Sequence, residues 1–230
     1  MRTLGVIGGI APGSTIDYYR LQIAEYQTRA GGAEYPSILI NSIDLARLLR
    51  LAGEDRLDEL ADWLVQEVRR LAQAGAVIGL MASNTPHLVF DAVARESPIP
   101  LISIVEVAAD AAKARGYTKV GLLGTRFTME GAFYYDVFAT RGIEVRAPSA
   151  EDRTLVHELY MRELIHGQFH PSTRTTVQHV IGRFKESGAQ AALLAGTELP
   201  LLLRGDSLSA LPLLDTTALH VTAAITAMLT

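Results

Sequence analysis

"GVIGGIAPGST", Gly5 to Thr15, is an apolar run that stops at a glycine pair and passes into small residues. "GLLGTRFTMEG", Gly121 to Gly131, repeats that pattern at an offset of 116, counted from Gly5 to Gly121. A second pair echoes the first. "VIGLMASNTP" (Val77 to Pro86) and "ALLAGTELP" (Ala192 to Pro200) are apolar runs that enter a small residue and then a threonine, with Ser83 matching Gly196 at an offset of 113. Two nearly equal offsets predict two similar halves.

Working outward, short β-branched or apolar runs alternate with amphipathic stretches along the whole chain. The predicted strands are Thr3–Ile7, Ser37–Asn41, Val77–Met81, Leu101–Ile104, Val120–Leu123, Ile143–Ala147, Ala191–Ala195 and Leu211–Leu214. Runs apolar on both faces are the mark of strands buried in a parallel sheet. Between them, Leu57, Leu60, Ala61, Leu64, Val68 and Leu71 recur at helical spacing, and "HPSTRTTVQHVIGRFKESGA" (170–189) offers a Ser/Thr start and a glycine stop. Gly75, Gly116, Gly142 and Gly188 each follow a helical stretch and precede a strand, as helix C-caps do. The alternation predicts an α/β protein with parallel sheets.

The composition narrows the function classes. With 230 residues, a net charge of −4, 20% charged and 49% hydrophobic residues, the chain reads as an ordinary globular protein. Mild acidity without a basic run argues against nucleic acid and an anionic membrane surface as partners. The start, "MRTLGVIGG", lacks a signal-peptide core, and no apolar run approaches the ~20 residues of a membrane span, so a cytoplasmic protein is expected. The absence of cysteine excludes disulfides and thiol chemistry. "GVIGG" lacks the full dinucleotide fingerprint, and the six histidines show no zinc-ligand spacing, so no cofactor or metal is expected.

The four echoing strand ends carry "GGIAPGST", "ASNTPH", "GTRFTM" and "GTELP". In open parallel sheets ligands bind outside the carboxyl ends of the strands, so two facing halves would enclose one small cleft. Hydroxyls, amides and backbone N–H groups at helix starts would line it, which suits a carboxylate. Any one of these residues, Ser14 or Thr128 for example, also serves as a helix cap. As a set of four they mark a site.

Over essentially its whole length the sequence resembles the aspartate/glutamate racemase family of cofactor-independent amino-acid racemases. The residues that carry the resemblance are "GVIGGIAPGSTIDYYR" (Gly5–Arg20), "ASNTPH" (Ala82–His87), "LLGTRFTME" (Leu122–Glu130), "GTELPLL" (Gly196–Leu202) and "LLDTTALH" (Leu213–His220). The resemblance implies two Rossmann-like domains with parallel sheets related by pseudo-twofold symmetry. The last strand and helix would return to the first domain, and the site would lie in the interdomain cleft. The expected division is 1–100 plus 210–230 for the first domain and 101–209 for the second. It also implies a homodimer, consistent with an apolar face around "LLRLAGEDRLDELADWL" (48–64), and stereoinversion at a carbon next to a carboxylate.

In that family one base removes the α-proton and an acid returns one to the opposite face, usually a pair of cysteines just before the Asn-Thr and Thr-Glu pairs. Here those positions are Ser83 and Gly196. A serine hydroxyl is a weak base unless a neighbour activates it, and glycine holds no proton. The catalytic candidates are therefore Ser83 and Glu198, the latter the nearby general base or else a helix N-terminal partner of a backbone amide. By position match, Asn84, Thr85, Thr125, Thr128, Gly196, Thr197 and Glu198 would surround the substrate's α-carboxylate and amine, with Glu198 accepting from the ammonium and the Gly9 turn closing one end. Arg47 in "NSIDLAR" stands where aspartate-specific members hold the distal carboxylate, though such an arginine also suits a solvated helix face. His87 either reaches the cleft or covers its helix, and Asp44 and Asp215 are site residues or helix caps. His220 would orient the site from behind. Trp63, on the polar side of its helical stripe, is a candidate contact with a second subunit. Three functions fit: a racemase-family enzyme on a small amino acid or dicarboxylate, a lyase or isomerase using one base, and a silent carboxylate-binding protein.

Overall fold

The computed structural model describes residues 2–32, 34–204 and 209–230. The chain divides into two compact units, Met1–Ile104 with Thr217–Thr230, and Val105–Thr216. The first runs β1 (Leu4–Gly8), α1 (Pro12–Ala30), β2 (Ile38–Ser42), α2 (Leu45–Gly53), α3 (Leu57–Gln73), β3 (Ile78–Met81), a 3-10 turn at Thr85–Val89, α4 (Phe90–Glu96) and β4 (Leu101–Ile102). The second runs α5 (Ile104–Ala114), β5 (Lys119–Gly124), α6 (Arg126–Glu130), α7 (Ala132–Ala139), β6 (Glu144–Arg146) and α8 (Ala150–Arg162). After a 3-10 turn at Leu164–His166 it continues with α9 (Pro171–Glu186), β7 (Ala191–Ala195), α10 (Leu199–Leu203) and β8 (Leu213–Asp215). Helix α11 (Thr216–Leu229) closes the chain.

Each unit holds a four-stranded parallel sheet, ordered β2-β1-β3-β4 in the first and β6-β5-β7-β8 in the second. The winding is the same, and so is the register. Gly5 pairs with Gly79 across β1 and β3, and Gly121 pairs with Ala192 across β5 and β7, so the offsets of 116 and 113 connect equivalent residues.

The glycines of the repeat have a packing cause. A Cβ on Gly5 would come within 2.9 Å of Ala76 Cβ and 3.2 Å of Leu71 Cβ; one on Gly121 would strike the Phe184 ring at 2.3 Å. In both units a helix preceding the third strand, α3 or α9, lies so close to the central strand that a side chain has no room. At the strand ends, Gly8 is covered by Thr15 and Gly124 by Thr128 in the same way, at 2.4 Å and 3.0 Å from a would-be Cβ. The four helix-ending glycines, Gly75, Gly116, Gly142 and Gly188, all have positive φ, the left-handed conformation that a C-cap requires.

In the first unit, one apolar cluster joins Leu4, Val6, Ile78 and Leu80 to Tyr18 and Tyr26 of α1 and to Val221, Ala224, Ile225 and Met228 of α11. In the second, Leu123 and Leu194 pack with Val156 and Tyr160 of α8 and Val177, Val180, Ile181 and Phe184 of α9.

Three expectations change. The chain crosses between the units at 104/105 and 216/217 and not at 100/101 and 209/210: β4 pairs with β3 and stays in the first sheet, whereas β8 pairs with β7 and stays in the second. Only helix α11 returns, because ladder hydrogen bonds hold each fourth strand to its own sheet while the chain passes between units at strand-to-helix junctions. The apolar face around 48–64 is not free for a partner, since Leu48, Leu51, Leu60 and Leu64 are buried within this chain. Trp63 is likewise covered by its own unit, 8% exposed, with Nε1 donating to Glu67 Oε1 at 2.7 Å and the Arg47 guanidinium 4.5 Å above its ring.

Candidate active site

At the end of β1, Gly9 turns with φ of 85°, and a Cβ there would lie 2.5 Å from the Ile43 carbonyl oxygen. Its N–H donates to Thr15 Oγ1 at 2.8 Å, and that hydroxyl donates onward to the Ala11 carbonyl at 3.1 Å. Thr15 thus takes up the Gly9 N–H within the turn itself. Ser14 Oγ also donates to Ala11, at 3.0 Å. Neither hydroxyl is an N-cap; both tie the turn to the first turn of α1.

At the end of β3, Ser83, Asn84, Thr85 and His87 are all buried. Ile104 N–H donates to His87 Nε2 at 3.2 Å, which leaves the proton on Nδ1, and Nδ1 donates to the Ser83 carbonyl at 3.0 Å. The His87 imidazole therefore grips the backbone of Ser83 and not its hydroxyl. Behind it, His220 Nε2 donates to the Ile102 carbonyl at 2.9 Å and Nδ1 accepts from Tyr18 OH at 3.0 Å. The two rings lie 6.4 Å apart, and His87 also stacks on Phe90 at 4.9 Å. Burial, with His220 adding to it, pushes His87 down to about 3, and burial pushes His220 down to about 4. Both are neutral pins that fasten β4 and its following turn to the strand end.

In the second unit Thr125 occupies the N-cap position of α6, and its Oγ1 lies 3.4 Å from Thr128 Oγ1. Past β7, Thr197 Oγ1 donates to Glu198 Oε2 at 2.9 Å. The same oxygen accepts a short hydrogen bond from Tyr160 OH, and Glu198 N–H donates back to the Tyr160 oxygen at 3.3 Å. Burial, and then the adjacent Glu198 carboxylate, raise the Tyr160 phenol well above its ordinary range. Tyr160 is the residue that sequence reasoning missed. It projects from α8 against Gly196, where a Cβ would lie 2.6 Å from its Cε2 and 2.7 Å from its hydroxyl. The signal in the sequence is negative: a glycine where the repeat calls for a side chain leaves a volume that something large must fill.

The remaining candidates separate. Asp44 is a helix cap, accepting from Ala46 N–H at 2.8 Å and Arg47 N–H at 3.3 Å. Arg47 itself is exposed, lying over Trp63. Glu67, not foreseen, is a buried carboxylate satisfied by Trp63, by Asn41 Nδ2 at 2.8 Å and by Arg70 Nη1 at 2.7 Å. Among the described residues no group of three or more His, Asp or Glu is placed to hold a metal ion, and no helix is long and apolar enough to cross a membrane.

A sequence model of the Asp/Glu/Hydantoin racemase family matches residues 7–224. The chain belongs to this family. Among solved structures, a candidate Asp/Glu racemase from Yersinia pestis is 33% identical with a TM-score of 0.90, covering 100% of both chains. An aspartate racemase homologue from Pyrococcus horikoshii OT3 is 31% identical at a TM-score of 0.85, again over 100% of both chains. The Picrophilus torridus aspartate racemase shares the fold at 18% identity and a TM-score of 0.79, over 99% of this chain and 94% of that one. The racemase-family fold, with its two four-stranded parallel sheets, thus accounts for the internal repeat read from the sequence. Ser83, Asn84 and Thr85 in one unit, and Thr125, Thr128, Thr197 and Glu198 in the other, stand at or just past the carboxyl ends of central strands of that fold.

Proposed function

We propose that the protein is a cofactor-independent isomerase acting at the α-carbon of a small amino acid or dicarboxylate, without a thiol pair. The observation that carries this reading is the retained strand-end set within a racemase-family fold: Ser83-Asn84-Thr85 after β3, Thr125 and Thr128 after β5, and Thr197-Glu198 after β7. Ser83 and Glu198 are the proton-handling groups. Asn84, Thr85, Thr125, Thr128 and Thr197 donate to the α-carboxylate, the Glu198 carboxylate accepts from the ammonium, and Arg47 holds the distal carboxylate of a dicarboxylic substrate. The family resemblance supports a cytoplasmic homodimer as the working form.

One observation favours a second reading. Ser83 Oγ has no hydrogen bond to a base among the described residues, because His87 is turned to the Ser83 carbonyl. A single-base lyase or a silent carboxylate-binding protein then becomes the alternative. Incubation with each common L- and D-amino acid in deuterium oxide, followed by NMR of the α-proton, separates them. Exchange with inversion supports the isomerase; loss of the amino acid to an unsaturated product points to a lyase. Saturable binding without exchange or product refutes an enzymatic role on those substrates.

A further inference from the structure

We propose that Tyr160, backed by Glu198, is the proton carrier of the second unit, occupying the place where the repeat would put a reactive side chain at position 196. This rests on the isomerase reading above and assigns the acid–base group that the reading leaves to Glu198 alone.

The internal repeat locates the place. Gly79 and Ala192 are equivalent by register, and Ser83 and Gly196 each lie four residues beyond them. The first unit therefore sets a hydroxyl where the second sets a hydrogen atom. That vacancy is filled. The Tyr160 hydroxyl oxygen lies 2.7 Å from the position of a Cβ on Gly196, inside the volume that a side chain there would use. The phenol brings an oxygen acid to the spot from a neighbouring helix, α8.

The surroundings of that oxygen are those of a relay. Its proton is directed at Glu198 Oε2, it accepts from Glu198 N–H at 3.3 Å, and Thr197 Oγ1 holds the same carboxylate oxygen at 2.9 Å. In the forward step the Cα–H bond breaks and its proton bonds to the Tyr160 oxygen while the phenol's own proton passes to Glu198 Oε2. The electron pair left on Cα delocalises into the substrate's α-carboxyl group. The phenol is neutral before and after, and Glu198 ends protonated; the reverse step returns a proton to Cα. A phenol that burial keeps protonated suits this role, because no free tyrosinate is needed at any stage.

The test uses the full chain, with the deuterium-exchange assay on whichever amino acid the wild type turns over and calorimetric binding of the same amino acid. Tyr160→Phe is expected to slow α-proton exchange by at least ~100-fold, the size of a general acid–base contribution, with little change in affinity. A second variant, 3-fluorotyrosine at position 160, keeps the packing and makes the phenol more acidic; the exchange rate and its pH profile are expected to shift. Exchange at the wild-type rate in both variants overturns the role of Tyr160 and leaves the isomerase reading standing. Absence of exchange in the wild type with every amino acid overturns both together.

Discussion

Acidification is expected to weaken the first unit through His87 and His220. Both imidazoles have an ordinary value of 6.5 and are held near 3 and 4 by burial. Their folded-state values are depressed, so between about pH 6.5 and 4 the unfolded chain binds protons that the folded chain refuses. Stability then falls as pH falls through that window, and the contribution is fully present only above 6.5. At pH 5 an unfolded imidazole lies 1.5 units below its midpoint. At about 1.4 kcal/mol per unit each ring costs roughly 2 kcal/mol, or about 4 kcal/mol for the pair. Against a typical total of about 5–15 kcal/mol this is a large fraction. Below about pH 4 and then 3 the rings protonate in place and the loss levels off. Urea unfolding followed by the fluorescence of the buried Trp63 at pH 7.5 and pH 5.0 measures the difference. His87→Gln and His220→Gln, each less stable at pH 7.5, are expected to show a smaller drop between the two pH values. Variants with the same drop as the wild type, or folded-state imidazole resonances titrating near 6.5, would refute the assignment of both rings as neutral pins.

Two further outcomes follow from particular contacts. Gly196→Ala drives a methyl group to 2.6 Å from the Tyr160 ring, so the ring must move. A loss of about 1–3 kcal/mol is expected in denaturant unfolding, with part of it recovered in the double variant Gly196→Ala/Tyr160→Leu, a non-additive pair by direct contact. Arg47→Ala removes a cation 4.5 Å above the Trp63 ring and is expected to alter Trp63 fluorescence and cost about 0.5–1 kcal/mol. If Arg47 also holds a distal carboxylate, the same variant weakens binding of dicarboxylic amino acids while sparing neutral ones in a parallel calorimetric titration.

The apolar runs alone were enough to place the eight strands of the described residues to within a few residues; the central strands β1, β3, β5 and β7 stood out because a strand buried on both faces of a parallel sheet is nearly apolar throughout, whereas the edge strands β2 and β6 are half exposed and carry polar residues. The repeat was legible for a related reason. Gly5 and Gly121 recur because a helix crosses the central strand too closely for a Cβ, and that constraint is written at single positions. The same local logic marked Gly75, Gly116, Gly142 and Gly188 as helix ends. Partnership between distant segments was not legible. Periodicity says that Leu48, Leu60 and Trp63 share an apolar surroundings or a stripe's edge, but not whether a second subunit or this chain covers them; α2, α3 and Arg47 do so here. His87 follows the strand end in sequence, yet only the position of Ile104 N–H decides which ring nitrogen carries the proton and turns the imidazole away from the Ser83 hydroxyl. Tyr160 is the clearest case. Nothing within α8 distinguishes it from a core aromatic, and Gly196 by itself reads as a lost side chain. Van der Waals exclusion operates between atoms brought together by the fold, so only the tertiary structure could show that the space beside one residue is filled by the other.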